Sequence, residues 1–409
     1  MSVERNTLFV SIIIPDYNHA QYVGDAICSV LNQDYQDFEI IVVDDGSTDN
    51  SRDVITEFGE QVRYIWQENQ GLSAARNTGI KSAKGSVIGV LDADDMYEPA
   101  FLTTMISALR ENPDADGIYC GYQFVDQLNN PLPQKEARSI PSDKLYHAML
   151  DGNFLVPESM LVNRYCYDKV GPFDESLQAC EDWDMWLRIT RNYKIICTTK
   201  ILTRHRIISG SMSTDPVRML NNRLAVLTKH VGEEPDDRDE EVRVQRRAFG
   251  RAYLGSCVEY LQYGDNDHAC ECFKKMATIC PALLTELDTF YQLGCGDQPK
   301  GSMGDFATID LRRNGKVLLD MLDTFFDNTT KNLSREDYRR VAYASAYYAL
   351  GLLGYGARQV QISRYYLSKA VITNPRLGFN RQLVATWLKS LLGAGLIDRF
   401  KNTRQKFAS

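Results

Sequence analysis

The sequence has no long hydrophobic run. Its longest apolar stretches, such as Leu8 to Pro15 and Ile40 to Val43, fall far short of the roughly 20 residues that a membrane-spanning helix needs. No basic segment followed by an apolar one and a small-residue cleavage site opens the chain, which speaks against export by the main secretory route. Cysteine is sparse, ten in 409 residues and without dense spacing. That is the pattern of reduced thiols in a cytoplasmic protein, not of a disulfide framework. Cys270 and Cys272 form a Cys-x-Cys pair, yet no second Cys/His pair lies at zinc spacing, so buried thiols in a helix are expected there. Positive charge is short as well. A net charge of −8 argues against bulk nucleic-acid binding, and no nucleic-acid partner is expected.

What is present is an ordinary globular composition, 44% hydrophobic and 24% charged, in a length that suits two or three domains. The charge is uneven. Residues 1–214 carry 18 basic and 31 acidic side chains, and the remainder 28 and 23. The last sixty residues hold ten Lys/Arg against the single acid Asp398. An acidic front and a basic tail suggest two different jobs.

The first 120 residues alternate between two periods. Leu8 to Pro15, Phe38 to Val43, Val62 to Trp66 and Ser86 to Leu91 read as strands; Tyr22 to Leu31, a stretch capped by Asp49 and ending at Phe58, and Leu72 to Ala83 read as helices. This βαβαβαβ pattern, with strands apolar on both faces, predicts an α/β fold whose mostly parallel sheet is flanked by helices. Ligands of such sheets bind beyond the carboxyl ends of the strands, where Asp44-Asp45 and Asp92 to Asp95 fall. Residues 115–214 are mixed: a strand at Gly117 to Val125, a Pro-rich loop with Pro131, Pro133 and Pro141, helices at Ser142 to Leu150 and Glu181 to Asn192, and a strand at Lys194 to Thr198. From about Asp215 no strand is evident, which divides the chain into 1–214 and an all-α region 215–409, with the acidic run Glu233 to Glu241 as a linker or helix start. Arg246 to Ile279 and Tyr338 to Ile372 read as helical hairpins that resemble each other weakly, Gly264, Ala269, Phe273, Ala277 and Pro281 matching Gly356, Ile362, Tyr366, Ala370 and Pro375. Either a tetratricopeptide-like repeat or an irregular bundle fits.

The strongest chemical signal is Asp92-Ala93-Asp94-Asp95 at a strand end, where carboxylates flanking one residue can reach a single Mg²⁺ or Mn²⁺. It stands with Pro15-Asp16-Tyr17-Asn18, Asp44-Asp45-Gly46-Ser47-Thr48-Asp49, Gly71-Leu72-Ser73-Ala74-Ala75-Arg76-Asn77 and Glu181-Asp182-Trp183-Asp184. In this order and spacing the set resembles the family 2 glycosyltransferases and their GT-A nucleotide-sugar fold, over about residues 8–214. The resemblance implies an inverting transfer of sugar from a nucleotide-diphospho-sugar, with UDP the first choice, to a hydroxyl of a glycan, lipid-linked or protein acceptor. It implies that Asp45 accepts a hydrogen bond from the base with Asp16 near it, and that Pro15 and Tyr17 belong to the same nucleotide loop. Arg76 would reach the base or the diphosphate, Asp92 the ribose or a metal-bound water, Asp94 the metal, and Asp182 would be the catalytic base. Family members often carry an Arg, then a His two residues later, before a Ser-rich stretch. Aligned on Ser209 to Ser213, this chain has Arg206 and Ile208 there, with His205 adjacent as the candidate further metal ligand.

Competing readings accompany these roles. Arg76 could be a structural ion-pair partner, Glu181 could only shape its helix, Trp183 could stack on a sugar or lie in the core, and Asp95 suits a supporting role better than ligation. A sugar-phosphate nucleotidyltransferase would want a Gly-rich basic loop after strand one, which Pro15-Asp16-Tyr17-Asn18 is not. A non-catalytic nucleotide-sugar-binding scaffold would not need Asp182. No Gln-x-x-Arg-Trp motif occurs, which excludes the processive, membrane-embedded synthases from the expectation. Leu383, Trp387, Leu388, Leu391, Leu392, Leu396, Ile397 and Phe400 fall at helical spacing beside Lys389, Arg399, Lys401, Arg404 and Lys406. This basic helix either makes a peripheral contact with an anionic membrane at the cytoplasmic face or packs its stripe on the helical region, which would otherwise hold the acceptor or a partner.

Overall fold

β-branched runs that are apolar on both faces can only be satisfied in the middle of a covered sheet. The computed structural model, which describes residues 8–208, 210–235, 242–327 and 333–391, places them there. Nine strands form one sheet: β1 Val10–Asp16, β2 Phe38–Asp44, β3 Arg63–Trp66, β4 Val87–Val90, β5 Met96–Tyr97, β6 Gly117–Val125, β7 Pro131–Glu136, β8 Met160–Asn163 and β9 Ile195–Arg206. Their order is β3-β2-β1-β4-β8-β6-β9-β5, with β7 also paired to β6. The pairs β2/β3, β1/β2 and β1/β4 are parallel, as the sequence predicts. Ile12, Ile14, Ile40, Val42 and Val87 then bury against Ala26, Ile27, Val30, Leu102 and Ile106 of the covering helices. Chain contacts divide the protein into two compact units, Met1–Gly232 and Glu233–Ser409.

Two expectations need correction. The segment with Pro131 and Pro133 is not a loop but strand β7. Proline is tolerated because β7 is an edge strand that pairs only with β6; Gln123 of β6 also donates to the carbonyls of Leu132 and Gln134 at 2.7 and 2.9 Å. The strand expected to stop at Thr198 continues as β9 to Arg206. Its second half alternates polar side chains and so carries little apolar signal, yet Thr203 and Arg206 are buried. β8 and the helices Phe101–Glu111 and Arg164–Val170 are further elements beyond those expected, although Phe101, Leu102, Met105, Ile106 and Leu109 do fall at helical spacing. The first unit extends through the helix Pro216–Val231, whose Lys229 and His230 reach Asp184 at 3.0 and 2.9 Å.

In the second unit, a long helix Arg243–Gln262, a shorter one Asn266–Ile279, a 3₁₀ turn Pro281–Thr285 and a helix Leu287–Gly294 are followed by Leu311–Asp327. The first series then recurs as Leu333–Gly356, Val360–Thr373, Pro375–Phe379 and Arg381–Leu391. The two series match bond for bond. Asp265 N–H donates to Tyr260 O and Gln359 N–H to Gly354 O, both at 2.9 Å. Cys280 N–H donates to Met276 O and Asn374 N–H to Ala370 O, at 2.9 and 2.8 Å. The counterpart of Gly264 (φ 75°) is therefore Arg358 (φ 59°), not Gly356, and the buried counterparts of Ala269 and Phe273 are Ser363 and Leu367, one position after the pair the sequence suggests. An arginine in the left-handed region conceals the glycine signal and shifts the apparent register.

The described part of the basic helix packs inward through Leu383 and Trp387, while Leu388 and Leu391 are about half exposed. Leu383 is buried with Tyr348, Leu367 and Ala370, and Trp387 packs on that cluster while its indole donates to Ser368 Oγ at 3.0 Å. Leu392, Leu396, Ile397, Phe400 and the basic residues from Arg399 to Lys406 lie outside the described residues. Among the described residues no helix is long and apolar enough to cross a membrane.

The helix Leu72–Ser82, which carries Arg76, lies on β1 through Gly79, where a Cβ would sit 2.3 Å from Ile13 Cγ2. Gly24, also helical, would place its Cβ 3.5 Å from Val54 Cγ1, an ordinary contact. Both changes to alanine gain about 1 kcal/mol of helix propensity, so contact alone separates them. In urea unfolding, Gly24→Ala is expected to hold or raise the midpoint. Gly79→Ala should lower stability by about 1–3 kcal/mol, and an unchanged midpoint would refute this packing.

Candidate active site

The strand directions gather chemistry on one edge. β8 runs antiparallel to β4, β6 antiparallel to β8, and β9 parallel to β6. The carboxyl ends of β1, β2, β4 and β9 thus share an edge with the start of β8. To that edge come Asp16, Asp44, Asp45, the run Asp92 to Asp95, Glu158 from the turn Pro157–Ser159, and His205. The helix Glu181–Asn192 adds Glu181 and Asp182 at its N-terminus, entered through Cys180 in the left-handed conformation.

On the β1–β2 side the acids organise the loops. Asp45 is buried; it accepts from Gln67 Nε2 at 2.7 Å and from the backbone N–H groups of Gln70 and Gly71 at 3.0 and 2.8 Å. It therefore sets the entry to the Arg76 helix. Asp44 accepts from the Tyr64 hydroxyl at 2.6 Å and from Ser47 N–H at 2.8 Å. Asp16 is buried beside Ser47 Oγ at 3.1 Å, and burial raises its pKa. Asn18, at φ 58°, accepts from Thr48 N–H at 2.7 Å and ties the two loops together. Asp49 caps Ser51 N–H at 2.9 Å and also takes Ala20 N–H at 3.0 Å. Pro15 is buried in β1, whereas the Tyr17 ring is 46% exposed at the loop tip.

Arg76 is fully enclosed and bridges two acids. One guanidinium nitrogen meets Asp92 Oδ1 at 2.7 Å and another pairs with Glu181. Its side chain is thus an ion-pair partner within the site, and Glu181 is its second anchor. Asp182, the next residue, accepts from Asn153 Nδ2 at 2.8 Å and from Trp183 N–H at 2.7 Å. Burial, with Glu181 beside it, raises the Asp182 pKa to about 7. Trp183 does not face a sugar site: it is buried, and its indole donates to Met149 O at 2.7 Å.

The third group is acidic with one imidazole. Burial together with the charges of Asp95 and Asp92 raises the Asp94 pKa to about 7. His205 Nδ1 lies 3.0 Å from both Asp95 Oδ2 and Glu158 Oε1. Those two carboxylates hold the imidazole protonated well above its usual range despite its burial. Ligand atoms of Asp95, Glu158 and His205 lie within 4.8 Å of one another, a set that could hold a cation. His205 therefore meets Asp95 and Glu158 rather than forming a closed set with Asp92 and Asp94. Asp95 also takes Arg206 N–H at 2.7 Å. Glu158 and Asn153 escaped the sequence analysis. Neither sits in a motif; the available hint was the polar pair Glu158-Ser159 directly before the apolar run Met160 to Val162, which the structure shows buried.

Removing Arg76 strands two carboxylates. Arg76→Leu is expected to cost about 3–5 kcal/mol of stability in denaturant unfolding. The double change Arg76→Leu with Glu181→Leu should recover part of it, because the uncompensated charge rather than lost packing carries the cost. Equal losses in the single and double variants would contradict the bridge.

Comparisons with known proteins identify the family. The sequence model described as Glycosyl transferase family 2 matches residues 11–170. An uncharacterized glycosyltransferase of Rickettsia prowazekii is 36% identical over 220 residues, 52% of this chain and 68% of its own length. One from Nostoc sp. is 32% identical over 225 residues, 53% of this chain and 67% of its own. Escherichia coli chondroitin synthase is 30% identical over 202 residues, but only 29% of its length is spanned. Among solved structures, the mannosyltransferase PcManGT from Pyrobaculum calidifontis aligns over 80% of this chain and 89% of its own at 16% identity and a TM-score of 0.46, too loosely to place a ligand. The sheet with its acidic edge, followed by helices, is a GT-A fold, and the chain is a glycosyltransferase that belongs to family 2.

Proposed function

We propose that this glycosyltransferase is inverting and metal-dependent, that it takes its sugar from a UDP-sugar, and that Asp182 is the general base. The observation that carries this reading is a carboxylate poised near neutral pH, Asp182, facing the same sheet edge as the acidic run Asp92 to Asp95. A base with pKa about 7 is ionised often enough at neutral pH to accept a proton, and basic enough to hold it. As the acceptor oxygen attacks the anomeric carbon, its proton passes to Asp182. The new C–O bond forms while the bond to the diphosphate breaks, and the leaving group takes the electron pair. One displacement with one base inverts the carbon.

Mn²⁺ or Mg²⁺ suits the donor set: Asp94 lies among Asp92 and Asp95 with its proton affinity raised, a cluster short of positive charge and made of hard oxygen ligands. Asp92 and Asp94, or Asp95 and Glu158 with His205 once a cation displaces the imidazole proton, are the residues that would hold it. Bound there, the cation would stabilise charge on the departing diphosphate. Asp16, Asp45, Pro15 and Tyr17 would form the nucleotide side, Tyr17 offering an exposed ring for the base. Arg76 supports the site by fixing Asp92 and Glu181. The acceptor is a hydroxyl-bearing glycan, free, lipid-linked or on protein; the likeness to chondroitin synthase supports a glycan.

Calorimetric titration with UDP, GDP and dTDP, each with and without Mn²⁺, should show UDP alone binding at least about tenfold tighter with the metal, a gain of about 1.4 kcal/mol. Asp94→Asn should abolish that gain; if the metal effect survives in the variant, Asp94 is not its ligand. Asp182→Asn should keep UDP binding and lower turnover at least about 100-fold. Because the base must be ionised, wild-type turnover should rise with pH through an acid limb near 7. Normal turnover in the variant would sink the assignment.

A further inference from the structure

A second group acts on Asp182 from outside every motif. Asn153 lies in the connection between the helix Ser142–Leu150 and the turn Pro157–Ser159. Its Oδ1 accepts Leu155 N–H at 3.1 Å, and this bond settles which way the amide faces. The Nδ2 group is thereby committed to Asp182 Oδ2, at 2.8 Å. The connection itself is anchored on both sides of Asn153. Met149 O takes the Trp183 indole proton at 2.7 Å, and Phe154 and Leu155 are buried. Phe154 also meets Tyr119 edge to face, with ring centroids 6.3 Å apart. Asn153 is exposed, so its amide is held by its neighbours and not by packing around it.

We infer that Asn153 is the positioning residue for Asp182: its amide fixes Oδ2 as Trp183 N–H fixes Oδ1, so that the carboxylate is held in one orientation with a lone pair left for the acceptor hydroxyl, and it favours the ionised, proton-accepting form. The inference rests on the reading of Asp182 as the base. A donor hydrogen bond to a carboxylate stabilises its charge. Here that bond opposes burial and the neighbouring Glu181, which both favour the protonated form, and it works alongside Arg76 and Trp183 N–H. Tyr122, on β6, is the further titratable group facing Asp182. Of the groups that favour the ionised form, Asn153 is a neutral side chain whose loss leaves the fold's ion pairs intact. The same short connection ends in Glu158, which holds His205, so one segment sets both the base and the acidic cluster.

The test uses the full chain labelled with ¹³Cγ-aspartate and follows the resonance that Asp182→Asn removes. In Asn153→Ala its titration midpoint should move up by about half to one pH unit, and further in Asn153→Asp, where a donor becomes a like charge. The acid limb of UDP-N-acetylglucosamine hydrolysis with Mn²⁺ should move with it, so that the variants lose rate at low pH and regain it at high pH. A merely structural role would depress the rate equally at every pH. An unmoved midpoint in both variants overturns the inference, even if Asp182→Asn is inactive. A moved midpoint with full hydrolysis by Asp182→Asn overturns instead the reading of Asp182 as the base.

Discussion

Like charges crowded onto one sheet edge are the constraint from which the rest of this site follows. Asp16, Asp44, Asp45, Asp92, Asp94, Asp95, Glu158, Glu181 and Asp182 all come to it, and a low-dielectric surround would make their repulsion severe. The fold answers most of them one by one. Asp45 is neutralised by two backbone N–H groups and Gln67, and Asp44 by Tyr64 and Ser47. Asp92 and Glu181 share Arg76; Asp95 and Glu158 share His205. Asp94 is left without a cation of its own, and Asp182 with only hydrogen bonds. Asp94 and Asp182 are raised to about 7, and so is Asp95 in spite of His205, so the imbalance stays with the acidic run and with the start of the helix Glu181–Asn192. The unmet demand for positive charge thus falls on a run of carboxylates suited to a metal and on one carboxylate suited to a proton.

Much of this was legible in the sequence because it is local. Apolar runs ending in aspartates declare parallel strands and their ligand edge without any tertiary knowledge. The helix Glu181–Asn192 is equally plain from its period. What stayed hidden depends on partners far along the chain. β9 was cut short because Thr203 and Arg206, though buried, are polar, and their burial is decided by β6. β7 was hidden by its prolines, whose missing donors matter little on an edge strand that pairs only with β6. Glu158 and Asn153 sit in no motif and meet His205 and Asp182 far along the chain, which no spacing rule encodes. In the second unit the repeat was visible but slipped by one, since Arg358 does what Gly264 does with a side chain that advertises nothing.

The choice of arginine at position 76 shows how tightly the crowded edge is specified. The residue must be long enough to reach both acids from its helix, planar enough to present separate nitrogens to Asp92 and Glu181, and tolerant of the Phe173 ring 5.4 Å from its carbon. A lysine ammonium is a point charge on a flexible stem. It could sit by Asp92 or by Glu181, but in pairing with one it would leave the other buried and unanswered. Glu181 unanswered would add its repulsion to Asp182, the next residue, and drive that carboxylate toward its protonated form. The fork of Arg76 therefore does more than stabilise the sheet edge. Its positive charge also opposes the repulsion that Glu181 exerts on Asp182, and so connects the strand end that suits a cation to the helix end that suits a base.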